Sequence, residues 1–447
     1  MPGDESDPPP SAAGSDRGGV AVGEVGGDSA SGAVTDLLTP AEGVPPVVAD
    51  HGALVELAER LAGGHGPVAV DAERASGFRY SARAYLVQLR REGAGSALVD
   101  PIACGGDLSV LGDALRGVEW VLHAASQDLA CLAEVGMAPD SLFDTELAGR
   151  LAGHPRVGLG PLAESLLGVH LQKGHGAADW SRRPLPADWL VYAALDVELL
   201  VQMRDLLGAD LDAQGKAQWA TEEFEAVRLA GPPPRRAEPR RRVWGVHKVR
   251  RPRQLAVVRA LWESRDALAS SRDVAPGRLL PDAAIVDAAL REPADRDALA
   301  AMPVFRGRAQ RRLADRWWEA VAAGRALPRE EQPDTSAASD GPPSPNRWAD
   351  REPDAAARLT AARAALAEIS ERTSTPVENL LQPDAVRRLC WAPPPGAPPQ
   401  APVDDAARAA VDAALADLGA RPWQRDLAVA VLTEALTATA PATPVSV

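Results

Sequence analysis

The sequence has little that would staple or anchor it. Only three of its 447 residues are cysteine, Cys104, Cys131 and Cys390. They lie far apart with no Cys-x-x-Cys pair, which excludes a disulfide framework and gives no zinc signature. That usage fits a reducing cytoplasm. No stretch approaches the ~18 consecutive apolar residues a membrane span needs. The opening "MPGDESDPPP" carries neither a basic leader nor an apolar run, so an unexported, cytoplasmic protein without a membrane partner is expected. Lysine occurs only at Lys173, Lys216 and Lys248. The rest of the basic charge is arginine, which, with heavy use of Ala, Gly and Pro, reads as the codon bias of a G+C-rich genome. An excess of positive charge is also missing, and a net charge of −14 taken alone argues against a polyanionic partner. Its distribution changes that conclusion. Residues 1–50 hold nine acids (Asp4, Glu5, Asp7, Asp16, Glu24, Asp28, Asp36, Glu42, Asp50) against the single base Arg17, a balance of −8, so more than half of the excess sits in one tail.

The length suggests about two to four domains. Residues 1–34 are rich in Gly, Ser, Pro and Asp with no apolar period, and are expected to be a disordered acidic tail. Dense apolar patterning follows over 35–229. "HGALVELAERLAG" repeats at helical spacing, and "PVAVDAE", "RAYLVQLRRE", "GSALVDPI" and "EWVLHAAS" read as strands. Helical segments follow in "QDLACLAEVG", "FDTELAGRLAG", "GLGPLAESLLG" and "PADWLVYAALDVELLVQMRDLLGADL". Strands first, then strand and helix in alternation, predict a mixed α/β sheet layered with helices. A Pro- and Arg-rich linker over 230–243 ends this unit. Two helical blocks are expected over 244–328 and 347–435, separated by a linker at 329–346 and followed by a disordered tail at 436–447. The blocks share a plan, a long helix, a Pro turn, then "LLPDAAI" in one and "LLQPDAV" in the other, which suggests a repeated module.

Two acids interrupt the apolar strand "GPVAVDAERASGFRY". Asp71 and Glu73 are two apart and share a face, with Val68, Val70 and Ala72 on the other side. Unpaired buried carboxylates are costly, and hard divalent cations prefer oxygen ligands of this kind. An Asp-x-Glu pair alone more often reflects edge solvation. Asp128, in "HAASQDLACL", falls at the first turn of a helix that follows a strand, where charge complementarity with the helix is the plain alternative. In "YAALDVELL", Tyr192 and Asp196 stand four apart on one helix face. Four acids and a tyrosine on strand, helix and helix, in this order, carry more weight than any one of them.

Segments 66–100, 120–134 and 173–200 resemble the three motifs of the DEDD exonuclease superfamily in its tyrosine-containing form, and residues 45–225 are similar to the bacterial ribonuclease D family. The run from "QKGHGAADWSRRPL" to the tyrosine motif matches the family's style, and the helical blocks resemble HRDC domains, the first more clearly. The resemblance implies a ribonuclease H-like mixed sheet with flanking helices, followed by one or two small all-α HRDC-like domains. It implies 3′ to 5′ hydrolysis of phosphodiester bonds at RNA 3′ ends, tRNA precursors included. It makes Asp71, Glu73, Asp128 and Asp196 ligands of two divalent ions, Mg²⁺ or Mn²⁺, with Tyr192 orienting the attacking water. Where the family pattern has an apolar or small residue after the Glu, this chain has Arg74. Strand alternation turns Arg74 away from the acids and leaves it outside the catalytic set. A DNA-directed 3′ to 5′ exonuclease and a catalytically silent nucleic-acid adaptor are the alternatives, and the presence of all four acids counts against the second.

Lys173, Arg182 and Arg183 precede the tyrosine helix and are candidates for contact with the substrate backbone. "RRAEPRRRVWGVHKVRRPR", residues 235–253, holds nine bases against Glu238. Its Arg240, Arg241, Arg242, Lys248, Arg250 and Arg251 are candidate nucleic-acid contacts, against the usual reading of such a run as a solvated linker. His123, His154, His170 and His175 lack paired metal spacing and are expected to be structural or exposed. Trp244, Trp262, Trp317 and Trp318 are expected as core or interface anchors of the helical block. No obligate protein partner is evident.

Overall fold

The run that holds Asp71 and Glu73 forms the middle of a six-stranded sheet. The computed structural model describes residues 35–171, 174–232, 238–335 and 341–438. The tail expected over 1–34 and the residue Lys173 lie outside them. The strands are β1 (Thr35–Leu37), β2 (Val47–Val48), β3 (His65–Arg74), β4 (Ala84–Glu92), β5 (Gly95–Val99), β6 (Glu119–Leu122), β7 (Ser141–Asp144) and β8 (Val169–Leu171). The sheet order is β2-β5-β4-β3-β6-β7, while β1 and β8 pair separately. β3, β4 and β5 are antiparallel neighbours; β6 runs parallel to β3, and β7 parallel to β6. Gly93 and Gly95 both take positive φ, 78° and 72°, in the tight β4–β5 turn, a conformation glycine adopts without a steric cost. β3 is covered on both faces, with Val68, Ala69, Val70 and Ala72 all buried, so its sequence reads as an apolar run broken only by the two acids.

Two of the departures from the sequence expectation shape the end of the sheet beside Asp128. The helix expected to begin at Phe143 begins at Thr145, because Ser141–Asp144 pair with β6 as strand β7. Four residues are too few to display a period of two. Asp144 makes the switch from strand to helix: its carboxylate accepts from the amides of Glu146 and Leu147, and also from those of Ala124 and Ala125 at the end of the neighbouring strand. The strand expected to run to Ser126 stops at Leu122, and Ala124 takes the left-handed conformation at φ 58°.

The two helical blocks follow one plan. Each opens with a 21-residue helix that starts on proline, Pro252–Arg272 and Pro353–Thr373, and each helix ends on a non-glycine residue in the left-handed conformation, Asp273 and Ser374. A four-residue helix follows in each, Pro276–Leu279 and Val377–Leu380. Both left-handed turns meet the sheet domain. Asp273 accepts from the amide of Ser81 at 2.8 Å. The buried Lys216 donates to the carbonyls of Leu151 and of Thr373, the residue before Ser374. The blocks differ in how they share a core. The second merges with the sheet domain into one apolar core, marked by Trp423 stacked on Trp219 at 4.7 Å and donating to Glu223. The first keeps its own core around Trp317 and Leu261.

Candidate active site

Three elements bring the site together. In β3, Asp71 lies opposite Gln88 and Glu73 opposite Leu86, so the two acids face one side of the sheet. The helix Ala187–Glu198 crosses that side and carries Tyr192 and Asp196 one turn apart. Asp71, Glu73 and Asp196 each place one carboxylate oxygen within 4.8 Å of the others. The Tyr192 hydroxyl lies beside the Asp196 carboxyl. Gly176, in the loop ahead of the helix, lies against that hydroxyl: a Cβ there would stand 3.4 Å from it.

Asp128 is buried at the start of the helix Leu129–Glu134, and its carboxylate does not cap that helix. The side chain turns inward instead, which removes the simple capping explanation. It stands outside the close trio, with its Oδ1 at 3.4 Å from Nη2 of Arg74. Arg74 is thus the main correction to the sequence reading. Alternation turns it away from the acids, but the β3–β4 register shifts between Glu73 and Arg74. The extra residue of that shift, Tyr85, stands in β4, and it is the long arginine side chain that carries the guanidinium to the Asp128 carboxylate.

Burial and mutual repulsion hold the acids well above their ordinary range. Burial raises Asp71 to about 6, against the opposing pull of the Ala72 amide and Arg74. Burial, then the charges of Asp71, Asp196 and Asp128, push Glu73 up to about 10. Burial and Asp71 raise Asp128 to about 8, with Arg74 working the other way. Asp196 rises for the same two reasons, burial and Asp71. Asp71 therefore acts on every other acid in the group. Burial and the neighbouring acids raise the Tyr192 phenol as well, so it stays protonated and donates. A pocket of crowded carboxylates, stable as anions only beside a cation, is an oxygen donor set that fits a hard divalent ion.

The remaining candidates divide. Arg183 does not reach toward a substrate: its guanidinium grips both oxygens of the buried Asp100 at 2.6 and 2.8 Å and donates to the carbonyls of Tyr85 and Trp180. It ties the loop before the tyrosine helix to the sheet, a structural role. Arg182 is exposed beside it. Arg240 and Arg241 are both paired with Glu238, and Arg251 with Glu292 at 3.1 Å. Arg242, Lys248 and Arg250 make no ion pair among the described residues and are exposed. His123 is a half-buried ring against Thr145, its pKa pushed down to about 4 by desolvation. Trp317 is a core anchor as expected, and Trp262 and Trp318 pack against the same core. Trp244 is not an anchor: it is 71% exposed. Sequence reasoning missed Gln88. It is fully buried, faces the same side as Asp71 directly across the ladder, and neither atom of its amide has a partner among the described protein atoms. A polar residue in the middle of the apolar run "AYLVQL" was the available signal.

The loop that follows β3 is braced by the first helical block. Ala275 donates its amide to the Phe78 carbonyl at 2.9 Å, and Tyr80 donates its hydroxyl to Asp266. Arg278 lies 3.9 Å above the Phe78 ring. The block thus holds the chain a few residues beyond Glu73 and Arg74.

Comparison with known proteins gives the same picture. Residues 46–212 match the family model described as 3′-5′ exonuclease, residues 254–321 the HRDC domain, and residues 341–436 the 3′ to 5′ exonuclease C-terminal domain. The second helical block is thus matched by a model distinct from HRDC. The ribonuclease D of Gluconacetobacter diazotrophicus is 37% identical over 286 residues, which cover 62% of this chain and 72% of that protein. The ribonuclease D of Acidiphilium cryptum is 35% identical over 300 residues, 65% of this chain and 74% of that one. A crystal structure of a protein from Bifidobacterium adolescentis superposes with a TM-score of 0.82 at 38% identity, covering 90% of this chain and 99% of that one. Escherichia coli RNase D shares the fold, with a TM-score of 0.64 at 23% identity over 88% of this chain and 98% of its own. With the carboxylates gathered on a mixed sheet and the three matched regions in this order, the chain belongs to the ribonuclease D family of 3′-5′ exonucleases.

Proposed function

We propose that this chain removes nucleotides one at a time from the 3′ ends of RNA, structured RNAs such as tRNA precursors among them, by metal-dependent hydrolysis at Asp71, Glu73, Asp128 and Asp196. The observation that carries this reading is the convergence of Asp71, Glu73 and Asp196 within 4.8 Å at the sheet face. These carboxylates would hold two divalent ions, Mg²⁺ or Mn²⁺, which when bound would acidify the attacking water and stabilise the leaving oxygen. Asp71, whose charge acts on each of the other three acids, would be one of the metal ligands. Asp128 completes the set when Arg74 gives it up. The Tyr192 phenol, kept protonated, positions the attacking water by hydrogen bond rather than taking a proton from it. Arg74, released from Asp128, meets the negative charge that builds on the phosphate.

The experiment has two arms. Trimming is compared on RNA and DNA oligonucleotides of one sequence, and Mn²⁺ binding to the full chain is followed by titration calorimetry. Preference for RNA, together with metal binding that Asp71→Asn weakens, supports the reading. Equal trimming of DNA assigns the polymer wrongly, and unaltered metal binding in the variant removes the carboxylate assignment.

A further inference from the structure

Trp244 is out of place by the ordinary logic of packing. Its flanking residues Val243 and Val249 are buried in the core of the first helical block, and Gly245 turns the chain between them in the left-handed conformation at φ 84°. The Trp244 amide donates to Asp282 at 2.8 Å, and Asp282 is itself fixed by Arg265 at 2.7 Å. The backbone at this position is therefore held on several sides, yet the indole stands 71% exposed. Lys248 attends it, with its ammonium 5.6 Å from the ring centroid. A large aromatic held out into water by a fixed backbone buries little of its surface on folding.

The surroundings match one kind of partner. Arg242, Lys248 and Arg250 are exposed cations without an ion pair among the described residues. His247 and Arg250, with Arg241, line a cavity of about 650 Å³ whose floor is Val246, Val249 and Leu255. An apolar floor, a basic wall and a nearby open indole suit a chain that alternates flat bases with phosphates. The carboxylate of Asp282, which accepts from the Trp244 amide, is also occupied by Arg265.

We propose that Trp244 is a stacking platform for an unpaired base of a single-stranded RNA, with Lys248, Arg250 and Arg242 neutralising the phosphates on either side of that base. The proposal rests on the reading of RNA as the substrate and adds a second binding site outside the carboxylate cluster. Stacking on an aromatic ring tolerates any base, so the site prefers single strand over duplex without preferring sequence.

The test uses the full chain carrying Asp71→Asn so that the RNA survives, and measures fluorescence anisotropy of a labelled single-stranded oligoribonucleotide across a range of salt. Trp244→Ala is expected to weaken binding by about 5- to 150-fold, the worth of one stacked base. Trp244→Phe should recover much of the loss, because a ring face remains. The slope of log affinity against log salt should be unchanged in Trp244→Ala, and should flatten by roughly 1.4 in Lys248→Ser/Arg250→Ser, about 0.7 per phosphate contact. If the parent binds RNA and Trp244→Ala binds it equally well, the platform is refuted and the ring belongs to a different partner, a protein included. If the parent binds no RNA at all, the functional reading fails and takes this proposal with it.

Discussion

Replacing Asp71 by Asn should stabilise the metal-free protein, and more so as the pH rises. Asp71 adds repulsion to each of the other three acids, and its own pKa is raised by burial from the ordinary 3.8 to about 6. A carboxyl with a folded pKa above its unfolded one binds more protons in the folded state between the two values, so stability falls as pH rises through that window. A shift of about two units corresponds to roughly 3 kcal/mol at full ionisation. That sets the ceiling for relief at this residue, with further relief from neighbours whose pKa values fall when its charge is gone. For a domain of this size such a change moves the melting temperature by about 6–12 °C. The assay is thermal unfolding of EDTA-stripped protein at pH 4, 6 and 8. The variant and the parent should melt close together at pH 4, with the variant higher by pH 6 and most of the gap already open there. Adding Mg²⁺ should raise the parent more than the variant. Curves that stay parallel across the range would refute the electrostatic account of the cluster.

Tyr192→Phe keeps the ring's packing and removes only the hydroxyl. Turnover should fall about 10- to 100-fold with little change in KM, measured under single-turnover conditions. Arg74→Met removes the cation that competes for Asp128, and calorimetry should show divalent binding tightened on the order of tenfold while turnover falls. Arg183→Ala leaves the buried Asp100 carboxylate without its clamp and should cost roughly 2–3 kcal/mol of stability. The salt slope of RNA binding should stay as it was, which separates a structural arginine from a phosphate contact.

Much of the site was legible because its parts are local. Asp71 with Glu73 obeys the period of a strand, and Tyr192 with Asp196 that of a helix, so each pair could be placed on one face before any fold was known. What escaped was set by departures from period. Arg74 follows Glu73 by one residue and belongs on the far side of a regular strand; its guanidinium reaches Asp128 at the start of a helix distant in sequence, a contact no strand period displays. β7 is too short to show alternation, and its last residue, Asp144, doubles as a helix cap. Arg183 and Trp244 escaped for a different reason. A basic residue in a loop and a tryptophan near a helical block carry no mark of where their side chains end, and tertiary contacts alone commit the first to Asp100 and leave the second in water. The merging of the second helical block with the sheet domain depends on Trp219 and Trp423, which are about two hundred residues apart and share no local pattern.

The central claim is that the clustered acids hydrolyse RNA from its 3′ end with bound divalent metal. Incubation of 5′-end-labelled RNA with the protein, with Mg²⁺, with EDTA, and with Mg²⁺ restored in excess, tests it directly. The account predicts a ladder of products that shortens one nucleotide at a time, stops with EDTA and resumes on adding metal back, and is absent throughout for Asp71→Asn. Shortening that persists in EDTA, or release of the 5′-labelled mononucleotide as the first product, would contradict it.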